Sequence, residues 1–196
     1  MSRFSQARFL ISAAVPQQFP LDVGTEVAFA GRSNAGKSSA INAITHRQAL
    51  ARTSKIPGRT QLLNFFELAP GQRLVDLPGY GYADVPAAQR RTWPPLIEAL
   101  RTRASLKGLF VIVDARRGLQ DGDENLLGWV SPSQTIHVLL SKADKLNRGE
   151  GAAALRAAEG GLAGRATVQL FSSLKGTGVR EAEDTLEAWL RAGAQA

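Results

Sequence analysis

The sequence contains no cysteine, which excludes a disulfide framework and any thiolate metal site and suits a reducing cytosol. Histidine is almost as scarce: His46 and His137 have no partner at metal-ligand spacing, so both read as structural. No apolar run approaches the roughly 20 residues that span a bilayer. The N-terminus carries only short apolar stretches interrupted by Gln and Pro, unlike a signal peptide. Internal repeats and low-complexity tracts are also missing. These absences point to a soluble, intracellular chain of one domain, and 196 residues suffice to bury a proper core. The three tryptophans, Trp93, Trp129 and Trp189, fall on helical faces and read as core rather than as base-stacking platforms.

What is present centres on Gly31-Arg32-Ser33-Asn34-Ala35-Gly36-Lys37-Ser38. The run Val27-Ala28-Phe29-Ala30 before it reads as a buried parallel strand, and Ser39 to Ile44 after it as a helix packed by Ile41 and Ile44. Strand, glycine-bounded loop and helix form the context of a phosphate-binding loop. Glycines at its ends permit conformations a Cβ forbids, so successive N–H groups can converge on one anion. The helix start adds unpaired N–H groups and the positive end of its dipole. Lys37 supplies a cation for β and γ phosphates, and Ser38 a hydroxyl for Mg²⁺.

Elsewhere strands alternate with helices. Residues 1–22 read as a short helix or extended arm packed on the domain, and 47–58, running into Lys55-Ile56-Pro57-Gly58-Arg59-Thr60-Gln61, as a mobile loop. Leu62–Leu68 and Arg73–Asp76 read as a hairpin around Ala69-Pro70-Gly71-Gln72. A helix is expected over 90–100, with its prolines in the first turn. Further strands are expected over 109–114, 135–140 and 167–171, with helices over 119–130, 152–159 and 179–190. Such continuous apolar runs predict an α/β fold: a mainly parallel sheet covered on both faces, with ligands at the carboxyl ends of its strands.

Two carboxylates stand at such ends. Asp76-Leu77-Pro78-Gly79 can hold Mg²⁺ through water and offer a glycine N–H to a γ phosphate. In Ser141-Lys142-Ala143-Asp144, Asp144 can accept two bonds from guanine N1–H and N2–H₂, where adenine offers neither. At about 1.5–3 kcal/mol each, such bonds give a discrimination of roughly two to four orders of magnitude. Lys142 would lay its stem along the purine, and Ser172-Ser173-Leu174 could present N–H groups to guanine O6.

The net charge of +7 is uneven: residues 1–62 carry eight basic and two acidic side chains, and residues 63–196 sixteen and fifteen. Arg47, Arg52, Lys55 and Arg59 fall within thirteen residues. A nucleotide needs one or two of these cations, and the remainder suits a polyanion such as RNA or forms a solvated basic face.

Together, Gly31–Ser38, Gly58-Arg59-Thr60-Gln61, Asp76-Leu77-Pro78-Gly79-Tyr80-Gly81-Tyr82, Ser141–Asp144 and Phe171-Ser172-Ser173-Leu174-Lys175 resemble the EngB (YihA/YsxC) family of bacterial GTP-binding proteins, within the TrmE-Era-EngA-EngB-septin group. The resemblance runs from about residue 4 to 190. It implies a Ras-like P-loop GTPase domain over 23–192, preceded by the arm, that binds GTP and GDP. The nucleotide contacts it implies are those motifs, including Leu62 and Phe171, with Mg²⁺ held by Ser38 and Thr60. It further implies a monomeric, cytoplasmic switch in assembly of the large ribosomal subunit, whose rRNA and ribosomal proteins, or their precursor, are the partner. A septation role would follow from failed ribosome production. The competing reading is a septin-like or membrane-recruited scaffold with a structural nucleotide.

Three peculiarities qualify what the resemblance carries. Tyr80 stands where the Ras type has a catalytic glutamine, so slow intrinsic hydrolysis is expected; a trans-acting arginine can be worth about 10³ to 10⁵ in rate. Asn34 matches the asparagine that holds K⁺ in potassium-activated relatives. Ser141 replaces the usual Asn or Thr and is expected to lose a link to the phosphate loop, weakening affinity modestly.

Overall fold

The strand β5, Leu106–Asp114, shows how the fold is built: its apolar side chains alternate between two cores. Leu109, Val111 and Val113 enter one cluster, and Phe110 and Ile112 the other. The preceding strand in the sheet, β2 (Thr25–Gly31), does the same, with Ala28 and Ala30 on one side and Val27 and Phe29 on the other. A strand buried on both faces needs helices above and below it. The computed structural model describes residues 4–51, 62–80 and 95–193, and supplies them.

The elements run β1 (Arg8–Ala13), β2, α1 (Lys37–Ile44), β3 (Leu63–Ala69), β4 (Gln72–Asp76), α2 (helical over 95–101), β5, α3 (Asp121–Trp129), β6 (Thr135–Ser141), α4 (Arg148–Leu162), β7 (Thr167–Leu170) and α5 (Val179–Gly193). The sheet order is β1-β3-β4-β2-β5-β6-β7. Pairs β1/β3 and β3/β4 are antiparallel and the rest parallel. Leu96 and Leu100 of α2, Leu127 of α3 and Ala158 and Leu162 of α4 line one core. Ile41 and Ile44 of α1 and Ala182, Leu186 and Leu190 of α5, spaced by four, line the other. This is the Ras-like P-loop GTPase architecture.

The first segment, expected as a short helix or extended arm, is an edge strand. Residues Arg8 to Ala13 pair with β3, with the register shifting between Phe9 and Ile11. The Phe9 ring meets Phe66 edge-on at 6.1 Å while remaining 55% exposed. Helix α4 starts four residues earlier than expected because Asn147 caps it reciprocally: its side chain accepts Glu150 N–H at 3.0 Å, and Glu150 accepts Asn147 N–H at 2.8 Å. At the amino end of β2, fully buried Glu26 accepts from Arg73 Nε at 2.8 Å and Arg103 Nε at 2.7 Å. Their remaining N–H groups go to the carbonyls of Pro20, Leu21 and Val23. Every charge is thereby partnered, which a buried ion cluster requires.

His137 on β6 is likewise satisfied, its ring nitrogens lying 2.6 Å from Thr167 Oγ1 and 2.9 Å from Gln169 Oε1. Burial pushes its pKa below the ordinary value. The folded chain therefore keeps His137 neutral while the unfolded chain protonates it below about 6.5, so acidification from pH 7 to 5 removes stability. Urea unfolding at these two pH values should show a larger loss for the wild type than for His137→Gln; equal losses would refute this linkage.

Candidate functional site

All the chemistry-bearing loops follow the carboxyl ends of strands. The phosphate loop leaves β2 at Gly31, and Gly36, with φ 104°, caps α1 from the left-handed region, which a side chain rarely tolerates. Its next residue, Lys37, is ion-paired to Asp76 at the end of β4, with both side chains nearly buried. Ser38 lies in the first turn of α1. The chain after Asp76 runs on alongside the loop: Leu77 N–H donates to Phe29 O, Tyr80 N–H to Gly31 O and Ser33 N–H to Tyr80 O. Pro78 and Gly79 lie within this run. A Cβ on Gly79 would stand 2.6 Å from Ser33 Oγ and 3.1 Å from Ser33 Cα, so only glycine fits without displacing the loop.

The end of β6 holds the loop from beneath. Ser141 Oγ lies 2.5 Å from Ala35 O and 3.0 Å from Val113 O, so the expectation that serine loses the link to the phosphate loop is corrected: the hydroxyl reaches because β6 ends directly under it. Lys142, at φ 58°, donates to Asn34 O at 2.6 Å and to Asp114 Oδ2 at 2.9 Å. Asp114, the last residue of β5, escaped the sequence reading. It also takes a fork from Arg116, at 2.9 and 2.7 Å, which holds its carboxyl well below the usual range. Its place at a strand's carboxyl end was the available signal.

The loops carrying Asp144 and Ser172 are stitched together. Ala143 N–H donates to Phe171 O, Phe171 N–H to Leu140 O, and Ser172 Oγ to Asp144 Oδ1 at 2.7 Å. That last bond lowers the Asp144 pKa, leaving an ionised acceptor. Phe171 and Ser172 are buried, and Ser173 is exposed. Leu62, half-buried, stands just before β3. Gly58, Arg59, Thr60 and Gln61, together with Arg52, Lys55 and Trp93, lie outside the described residues.

Tyr80 also has a partner that sequence alone did not offer. Its hydroxyl donates to buried Asp123 on α3, whose other oxygen accepts Gln120 N–H at 2.9 Å. Burial and that carboxylate push the phenol pKa well up. The side chain is thereby held against α3.

A family profile described as "50S ribosome-binding GTPase" matches residues 26–142. A probable GTP-binding protein EngB of Azoarcus sp. (strain BH72) is 54% identical over 97% of this chain and 94% of its own length. The chain belongs to the EngB family of GTP-binding proteins. Another EngB, from Aeromonas salmonicida (strain A449), is 50% identical over 97% of this chain and 90% of its own. Among solved structures, a probable GTP-binding protein engB superposes with a TM-score of 0.69 at 19% identity, covering 86% of this chain and all of that one. Era in complex with MgGDPNP and 16S ribosomal RNA nucleotides gives 0.64 at 19% identity, over 85% of this chain and 57% of that one. At such identities these two show the fold alone. Family membership makes the chain a GTPase, a binder of GTP and GDP.

The Tyr80–Asp123 contact makes a quantitative expectation. Tyr80→Phe and Asp123→Asn should each destabilise the protein by about 1–3 kcal/mol in urea unfolding, and the double variant by less than the sum. Strict additivity would show that the two side chains do not act together.

Proposed function

We propose that this GTPase is a switch that serves assembly of the large ribosomal subunit, docking on the subunit or its precursor with GTP bound and leaving after hydrolysis. The observation that carries this reading is the joining of Ser141 and Lys142 to the carbonyls of Ala35 and Asn34, because it sets the candidate base-reading loop rigidly beside the phosphate loop. The description of the matching family profile supports the ribosomal partner. In this reading Gly31 to Ser38 cradle the phosphates, Gly58 to Leu62 and Asp76 to Gly79 respond to the γ phosphate, and Ser141 to Asp144 with Phe171 to Ser173 take guanine.

The oxygen donors fit Mg²⁺: Ser38 sits in the first turn of α1, and Asp76 stands beside Lys37 at the end of β4, a hard-oxygen set of the kind that ion shares with phosphates. Ser38 and Thr60 would hold it, with Asp76 acting through water. When bound, the ion would neutralise developing phosphate charge. Asn34 is the residue to hold K⁺. Because Tyr80 is engaged by Asp123, it orients no attacking water, and intrinsic hydrolysis is slow; a partner or K⁺ speeds it. The chain acts as a cytoplasmic monomer, and division defects on its loss follow from failed ribosome production. No helix among the described residues is long and apolar enough to cross a membrane.

Sedimenting a lysate on sucrose gradients should place the protein with large subunits or their precursors in a non-hydrolysable GTP analogue and not in GDP. Failure to co-migrate in any nucleotide state, at low and high salt, would overturn the ribosomal reading. Asp144→Asn should weaken guanine nucleotide binding by roughly two orders of magnitude or more without creating adenine binding. Equal hydrolysis rates in K⁺ and Na⁺ would remove the potassium role.

A further inference from the structure

Asp114 ends β5 between β2, which carries the phosphate loop, and β6, which carries Ser141 to Asp144. Its backbone is fixed on both sides. Ala115 N–H donates to Ser141 O at 2.9 Å, and Asp114 O accepts the N–H groups of Arg117 at 2.9 Å and Gly118 at 3.2 Å. Its carboxylate is fixed as well: Oδ1 accepts Arg116 N–H at 3.1 Å and Arg116 Nε at 2.9 Å, and Oδ2 accepts Arg116 Nη2 at 2.7 Å. Oδ2 also takes the Lys142 ammonium at 2.9 Å, which donates in addition to Asn34 O at 2.6 Å. The Asp114 side chain is only 8% exposed, and that of Lys142 a third. A long, exposed lysine is thus tied at its tip to a rigid, nearly buried carboxylate on a central strand.

A lysine stem has several rotatable bonds and resists being frozen. One pinned at both backbone and ammonium has lost that freedom on folding, before any ligand arrives. A ligand that lies along an ordered stem avoids a loss of roughly 2- to 12-fold in affinity for each such side chain. Of the two anchors, Asn34 O is a neutral acceptor on a loop, whereas Asp114 is an ion on a strand and makes the stronger, charge-assisted bond.

We propose that Asp114 is a positioning residue for guanine nucleotide: it acts through Lys142, keeping the lysine stem extended along the purine, and so slows the release of GTP and GDP. The inference rests on the assignment of Ser141 to Asp144 to guanine made above. Arg116 serves the same end, because its fork fixes the plane of the carboxylate and leaves Oδ2 aimed at the ammonium. The gain falls on dissociation more than association, so Asp114 helps set how long each nucleotide state of the switch lasts.

The test follows the dissociation of a fluorescent GDP by stopped flow in the full-length wild type, Asp114→Ala, Lys142→Met and the double variant. Lys142→Met keeps an apolar stem and removes the ammonium. Asp114→Ala and Lys142→Met should each speed release about 3- to 10-fold, and the double variant should release no faster than Lys142→Met alone. Asp114→Asn, which keeps the shape and an acceptor without the charge, should fall between wild type and Asp114→Ala, and carries the same cycle if Asp114→Ala does not fold. Accelerations that multiply in the double variant would show a general loosening of the site and overturn the proposal. Unchanged release in the Asp114 variants beside faster release in Lys142→Met would also overturn it, while leaving the guanine assignment standing. Unchanged release in Lys142→Met would remove Lys142 from the base site and take the inference with it.

Discussion

A trans peptide carries its carbonyl and the following N–H on opposite sides, so the bond from Ser141 to Ala35 O also decides where the Gly36 N–H points: away from β6. Lys142 holds the neighbouring Asn34 carbonyl in the same way. The shape of the phosphate loop is thus imposed from below by two residues more than a hundred positions later in the chain. They can do this because β2, β5 and β6 lie parallel and adjacent and end at one level. Asp114 completes the arrangement, anchoring the lysine ammonium to the strand between them. Losing the Ser141 hydroxyl takes a donor from the carbonyl of buried Ala35, and an unsatisfied buried carbonyl costs more than the net worth of an ordinary hydrogen bond.

The two ends of the sheet divide the work. At the amino end, Glu26, Arg73 and Arg103 form an ion cluster around a fully buried acid, which fixes strands and the incoming chain. At the carboxyl end, side chains are held in place yet keep a face open. Asp144 is ionised and positioned by Ser172, Lys37 is paired with Asp76, and Arg116 is fixed by Asp114 while half-exposed. Rigidity in the first place permits preorganisation in the second.

Much of this was legible in the sequence because it depends on local pattern. Strands β2, β5 and β6 announce themselves as largely apolar runs and β3 with β4 as a hairpin around a Pro-Gly turn, and Gly31 to Ser38 needs only its flanking strand and helix to be read. Where the reading stopped, the reason was physical. Asp114 with Lys142, Tyr80 with Asp123, and Ser141 with Ala35 meet across 28, 43 and 106 residues, and no spacing rule announces such encounters. The sequence does not decide between helix and extended arm for the first segment because Phe9, Leu10 and Ile11 show neither strand alternation nor helical period, and what orders them is the edge of β3. The early start of α4 was visible in principle, since Asn147 and Glu150 have the spacing of a capping box.

The placement of β1 also bears on how the chain comes together as it is made. Its ladder partners lie at 63–67, and the carbonyls of Pro20 and Leu21 wait for Arg103, over 80 residues downstream. This segment is made before its partners and is therefore the last of this half of the molecule to find its place. Its ladder N–H and C=O groups stay unpaired until the β3–β4 hairpin exists to receive them, so the sheet grows outward from β2 and closes at β1.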